Sequence, residues 1–181
     1  MSRKGRKISS SGFYHVINKG IGNQIMFEDT IDCNYFLKLL HFFKNKYCIK
    51  VIAYCLMENH FHLLIKDENN NISVFMQDLQ SRYAEFFNKH HHRCGPLHNG
   101  RFQSEPVEDE TYLRTVLRYI IKNPEKAGVS AYCEYKWSSF SEYFSNKHSS
   151  ISDFQIVETL FANKKNFIEF LDITDNSSYL E

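Results

Sequence analysis

The stretch Lys50-Val51-Ile52-Ala53-Tyr54-Cys55-Leu56-Met57-Glu58-Asn59-His60-Phe61-His62-Leu63-Leu64-Ile65-Lys66 decides how this chain folds. Lys50 to Leu56 and Asn59 to Lys66 are rich in β-forming residues and only Met57 and Glu58 separate them, so the stretch reads as a β-hairpin. Side chains alternate along a strand with a period of two, which sorts the second strand into two sets. Phe61, Leu63 and Ile65 face a helical layer, while His60, His62 and Leu64 face the other side, an open sheet face. Two imidazoles one residue apart thus point the same way, which is half of a metal site. A half-exposed surface pair with no metal is the plain alternative in a chain with nine histidines.

Outward from the hairpin, the pattern alternates strands and helices. Phe13 to Asn18 reads as a first strand, followed by a Gly20/Gly22 loop. Asp29 or Thr30 caps an amphipathic helix that runs to about Lys46 through Tyr35, Phe36, Leu39, Leu40 and Phe43. After a polar turn at 67–71, a second helix from about Ile72 to His90 buries Val74, Phe75, Leu79, Tyr83, Phe86 and Phe87. A Gly/Pro/His-rich loop, Cys94 to Phe102, leads to a short extended piece at Gln103 to Val107. A third helix begins near Glu108 or Asp109; Leu113, Val116, Leu117, Ile120 and Ile121 form its apolar stripe, Thr115, Tyr119 and Asn123 its flank, and Pro124 stops it. The order βαββαβα predicts an α+β fold: a ferredoxin-like or RRM-like antiparallel sheet with helices packed on one face, plus a C-terminal helical tail.

Composition sets the bounds. The chain has 181 residues, 43% hydrophobic and 15% aromatic, enough for one compact domain with appendages. Its organisation reads as a basic N-terminal arm (1–12), a main domain (13–150) and an acidic tail (151–181). The tail carries six acids against two bases, net −4, which leaves +5 on the first 150 residues. Arg3, Lys4, Arg6, Lys7 and Lys19 precede any acid, which suits a phosphate-bearing partner; a solvated arm is the plainer account. No apolar run approaches the roughly 20 residues that span a bilayer, and no hydrophobic stretch follows the basic start, so a cytoplasmic protein without membrane contact is expected. The five cysteines form no C-x-x-C pair and read as reduced thiols.

Tyr119 and Asn123, four apart on the third helix, share one face and could approach the histidine pair together. Two imidazoles, an amide oxygen and a phenol, with cations at Arg114, Arg118 and Lys122, fit phosphodiester chemistry. Neutral donors leave a divalent cation its full charge, and a phenol of reference pKa about 10 needs help to ionise as it attacks. Packing for Tyr119 and helix capping for Asn123 stand as alternatives. The run His90-His91-His92 could also bind metal, but reads more simply as a frayed, solvated helix end.

The segment Tyr54 to Leu64 resembles the HUH motif of single-tyrosine transposases (IS200-like), especially the REP-associated tyrosine transposases. Further matches are Tyr14-His15-Val16, Gly100-Arg101-Phe102, Arg118-Tyr119-Ile120 with Asn123-Pro124, Lys126-Ala127-Gly128 and Trp137-Ser138-Ser139, in family order across about residues 13–144. Two departures are Glu58, where a proline commonly precedes Asn-His, and Leu97-His98-Asn99, where Leu-Phe-Gln is usual.

The resemblance implies a ferredoxin-like catalytic domain that nicks and rejoins single-stranded DNA near hairpin-forming, REP-like sequences. His60, His62 and Asn123 would then hold Mg²⁺ or Mn²⁺, and Tyr119 would be the nucleophile that leaves a 5′-phosphotyrosine and a free 3′-hydroxyl. Arg3, Lys4, Arg6, Lys7, Arg82, Arg101, Arg118 and Lys122 are the candidate DNA contacts, and Tyr14, Tyr54 and Phe102 the candidate stacking platforms. Family relatives act as monomers or as homodimers. Two rival readings are a non-catalytic single-strand-binding module and a metal-dependent phosphodiesterase that uses water.

Overall fold

The computed structural model describes residues 5–144 and 151–173; Arg3 and Lys4 lie outside them. Four strands, β1 (Phe13–Lys19), β2 (Lys50–Met57), β3 (His60–Lys66) and β4 (Gln103–Val107), form one sheet in the order β2-β3-β1-β4, every neighbour antiparallel. With α1 (Thr30–Lys46) between β1 and β2, and α2 (Ile72–His90) between β3 and β4, this is the expected ferredoxin-like α+β arrangement.

The hairpin closes one residue later than the sequence spacing suggests. Met57 pairs with His60, so the loop is Glu58-Asn59. The Glu58 carbonyl accepts from the amides of Met26 and Phe27 at 2.8 and 3.0 Å, and its side chain is exposed, as turn polarity requires. A bulge between Val51 and Ala53 shifts the register of β2. Ile52 and Ala53 therefore both join the core on the histidine side of the sheet, and Cys55 and Met57 stay on that side after them.

One layer buries Phe36, Leu40, Phe75, Leu79 and Tyr83 of α1 and α2 against Phe61, Leu63 and Ile65, as the strand alternation predicts. The side chain of Asp29 accepts from Ile31 and Asp32, and Asp32 returns the bond, a capping box that fixes where α1 begins. Val74 is 45% exposed because it falls off the buried stripe of α2.

The other sheet face, read as open, carries a second layer. α3 (Glu110–Lys126) lays its entire stripe of Leu113, Val116, Leu117, Ile120 and Ile121 onto Ile52, Ala53, Cys55 and Leu64. Each such side chain contributes about 1.5–3 kcal/mol when buried. α3 also runs through Pro124 to Lys126 instead of stopping there. Pro124 lies in the last turn, and the helix ends two residues after it. Beyond it come α4 (Phe140–Phe144), α5 (Phe154–Phe161) and α6 (Lys164–Asp172), which bury Tyr143, Val157, Leu160, Phe161, Phe167 and Leu171 in this second core. Backbone bonds from Leu56 to Trp137, Ser139 to Tyr54 and Asp153 to Val51, 2.7–2.9 Å, cover the outer edge of β2. Among the described residues no helix is long and apolar enough to cross a membrane.

Candidate active site

Register places the site. Across β1 and β3, His62 stands opposite Ile17, His60 opposite Lys19 and Leu64 opposite His15, and residues opposite one another share a face. His15, His60 and His62 therefore rise from two central strands toward α3, which brings Tyr119 and Asn123 down onto them. The His60 and His62 rings are 5.0 Å apart and nearly perpendicular. His62 is 4% exposed; its Nε2 lies 3.5 Å from the Asn123 side-chain nitrogen, and Asn123 is itself buried at 8%. The Tyr119 ring stands edge-on to His62 at 5.3 Å and to His15 at 5.8 Å. All four predicted residues, His60, His62, Tyr119 and Asn123, thus gather within one chain.

The imidazoles are held neutral. Burial pushes the His62 pKa well below the ordinary histidine value, with His15, His60 and Lys19 adding repulsion of the same sign. His60 is lowered by burial, partly offset by its hydrogen bond with Asn123. With Asn59 Oδ1 accepting at 2.7 Å from His60 Nδ1, the proton of His60 sits there and Nε2 is left as a lone pair. Neutral imidazoles and an amide are what a divalent cation or a hydrogen-bonded substrate can use; imidazolium would repel the first.

His15 is the residue the strand pattern did not single out. It is 3% exposed, its Nε2 sits 3.1 Å from His62 Nδ1, the two rings stack at 5.3 Å, and burial lowers its pKa to about 4. His15 and His62 are 47 residues apart, so only the β1–β3 register joins them; Tyr14-His15-Val16 was visible only as a motif. A second addition is Lys126, whose Nζ stands 5.1 Å from the Tyr119 ring centre.

The candidate DNA contacts divide. Arg6 stacks on Phe102 at 3.9 Å and bonds to Ser73, and with Lys7 and exposed Arg101 it lines a cavity of about 800 Å³ along β4. That strand is β1's neighbour, with Glu105 opposite His15. Arg82 is exposed and paired with Glu85 at 3.0 Å. Arg118, only 7% exposed, holds its guanidinium over Phe170 of α6 at 5.6 Å, and Lys122 lies over Tyr132 in the loop after α3 and 3.6 Å from Glu125. Tyr14 and Tyr54, each 3% exposed, are core residues and not stacking platforms, because strand alternation points them at the α1–α2 layer.

Fold and face together define a ferredoxin-like domain bearing a histidine, amide and tyrosine cluster on its sheet. The chain belongs to the IS200-like transposase family, whose model matches residues 9–123, from just before β1 to Asn123 itself. It is a transposase, a protein of DNA transposition. Among solved structures it is similar to a REP-associated tyrosine transposase bound to a REP hairpin, at 15% identity and TM-score 0.69 over 84% of this chain and 91% of that one. A Deinococcus radiodurans chain with a provisional transposase description matches at 17% identity and TM-score 0.44, over 72% of this chain and 99% of that one. No curated protein matches the chain by sequence.

Proposed function

We propose that this transposase cleaves and rejoins single-stranded DNA near hairpins through a covalent 5′-phosphotyrosine on Tyr119. The observation that carries this reading is the approach of the Tyr119 ring to 5.3 Å from His62 in the same chain, with Asn123 against both histidines. All four side chains come from one chain and lie on one face of the sheet. The hairpin bound to the similarly folded REP-associated protein supports hairpin-forming DNA as the substrate class.

His60, His62 and Asn123 fit Mg²⁺ or Mn²⁺. Turning the Asn123 amide by half a rotation puts its oxygen at the 3.5 Å contact with His62 Nε2. Donors in an octahedral shell are about 3 Å apart, so little adjustment is required. A bound divalent ion would supply charge to polarise a phosphodiester oxygen, undiminished by these neutral ligands. His15 steadies the His62 ring from behind through the 3.1 Å contact of its Nε2 with His62 Nδ1: with His15 Nε2 as acceptor, the Nδ1–H of His62 donates and His62 Nε2 keeps its lone pair.

In the chemical step the Tyr119 oxygen forms a bond to phosphorus as the bond from phosphorus to the 3′-oxygen breaks. The phenol gives up its proton and the leaving oxygen gains one, which frees a 3′-hydroxyl. Attack by a 3′-hydroxyl on the phosphotyrosine reverses the exchange and restores Tyr119, so no nucleotide cofactor is consumed. Lys126 places a cation over the Tyr119 ring, 5.1 Å from its centre. The arm residues Arg6 and Lys7, with Arg101, track the phosphates along β4.

The test is to incubate the protein with labelled hairpin DNA and Mn²⁺ and look for an adduct that survives denaturation. The adduct is expected with the natural chain and absent in Tyr119→Phe. Cleavage that persists in Tyr119→Phe would instead establish a water-using phosphodiesterase, and binding without cleavage a non-catalytic module.

A further inference from the structure

The histidine run at the end of α2 is not a frayed terminus. His90 Nε2 lies 3.0 Å from Asp29 Oδ2, and His91 Nε2 lies 2.9 and 3.0 Å from the two oxygens of Asp32. These carboxylates belong to the capping box of α1, about 60 residues earlier in the chain. One donor atom from each of Asp29, His90 and His91 falls within 4.8 Å of the other two.

We propose that Asp29, His90 and His91, with Glu28 as a fourth donor, bind a zinc-class divalent ion at a site separate from the histidine–tyrosine face. Three details of the geometry point to a ligand. The Asp29 carboxylate uses Oδ1 to cap α1, accepting from Ile31 and Asp32, and keeps Oδ2 for the cluster. His91 has its Nε2 taken by Asp32, so Nδ1 is the nitrogen left to ligate, and it lies 3.4 Å from Glu28 Oε2. Asp32 is 0% exposed and accepts from the amides of Glu28 and Asp29, which locks it behind the ring. A buried carboxylate on the far nitrogen of a ligating imidazole is how proteins orient a histidine and raise its basicity toward zinc. Two imidazoles and two carboxylates also match the donor set and coordination number of zinc better than those of magnesium. The three carboxylates offset the positive end of α1, and the C-terminal end of α2 is itself favourable to a cation.

The ion would clamp the start of α1 to the end of α2. The test uses tag-free full-length protein carrying His60→Ala and His62→Ala, which removes the other imidazole pair. Titration with Co²⁺ followed by its visible d–d bands, and with Zn²⁺ by calorimetry, should still give one equivalent. Adding His90→Ala should weaken that equivalent roughly tenfold or more, and Asp29→Asn, which keeps the capping oxygen, should do the same. Asp32→Asn should also weaken it, because an amide donor at Nε2 moves the imidazole proton onto Nδ1. Each variant is compared with its parent by circular dichroism in chelator, so that a folding failure is recognised. The absence of a zinc equivalent in the double variant, or an unchanged affinity in both His90→Ala and Asp29→Asn, overturns the proposal and leaves the cluster as proton-dependent ion pairs.

Discussion

At the scale of single residues, His15 is the most consequential side chain outside the motif. Its folded pKa of about 4 lies below the ordinary value of 6.5, because a charge on the buried ring would lose its hydration. Between those two values the unfolded chain binds the proton and the folded chain does not. The stability His15 allows is therefore complete above pH 6.5 and lost as pH falls through 4, a loss of about 3 kcal/mol. His62 and His60 are shifted in the same direction and steepen the fall. Urea unfolding at pH 7.5, 6.5, 5 and 4 should show this decline, and His15→Phe should make it shallower; equal slopes in the two proteins would refute the assignment. The same substitution removes the acceptor on His62 Nδ1, so Mn²⁺ affinity measured by calorimetry should drop roughly 10- to 100-fold, with partial recovery in His15→Gln.

Among the elements, those that were legible in the sequence are the ones with a clean period. The alternation in β3 and the stripe of α3 each name a buried face without outside information, and Asp29 or Thr30 as a cap marks the start of α1. What sequence spacing did not give is where faces meet. That α3 covers the histidine face depends on the bulge in β2, which places Ile52 and Ala53 together beneath it. The contact of His15 with His62 needs strand register, and that of His91 with Asp32 needs the packing of α1 on α2. The C-terminal helices show the consequence. Phe161 is 5% exposed, with Phe167 at 4.9 Å and the Arg114 guanidinium at 4.7 Å from its ring, so α5 is tied to α3 and not merely appended. Phe161→Ala should cost about 3–5 kcal/mol. Thermal unfolding should remain a single transition at lower temperature; a main transition that stays in place would mean that α5 and α6 fold independently of the sheet.

Across the whole molecule, charge is distributed so that residues of one sign do different work. Arg6, Lys7 and Arg101 gather at the cavity along β4, while Arg118 and Lys122, equally basic in sequence, are turned to the rings of Phe170 and Tyr132. Sequence alone could not separate the two groups, because a cation at a helix flank has the same spacing whether it meets solvent or a ring. Their responses to salt will differ. A side chain that neutralises a phosphate releases counterions, and for single-stranded DNA each such contact contributes about 0.7 to the slope of log affinity against log salt. Arg101→Ala should therefore weaken binding to a single-stranded hairpin probe, lower the slope by about 0.7 and leave the unfolding temperature unchanged. Arg118→Ala should lower the unfolding temperature, since a packed guanidinium leaves both a void and an exposed Phe170 face, yet keep the slope of the natural chain. Fluorescence anisotropy across a salt series, paired with thermal unfolding, reads both quantities on each variant. If Arg118→Ala reduces the slope and Arg101→Ala does not, the DNA runs over the α3 side of the sheet and the cavity along β4 is not its path.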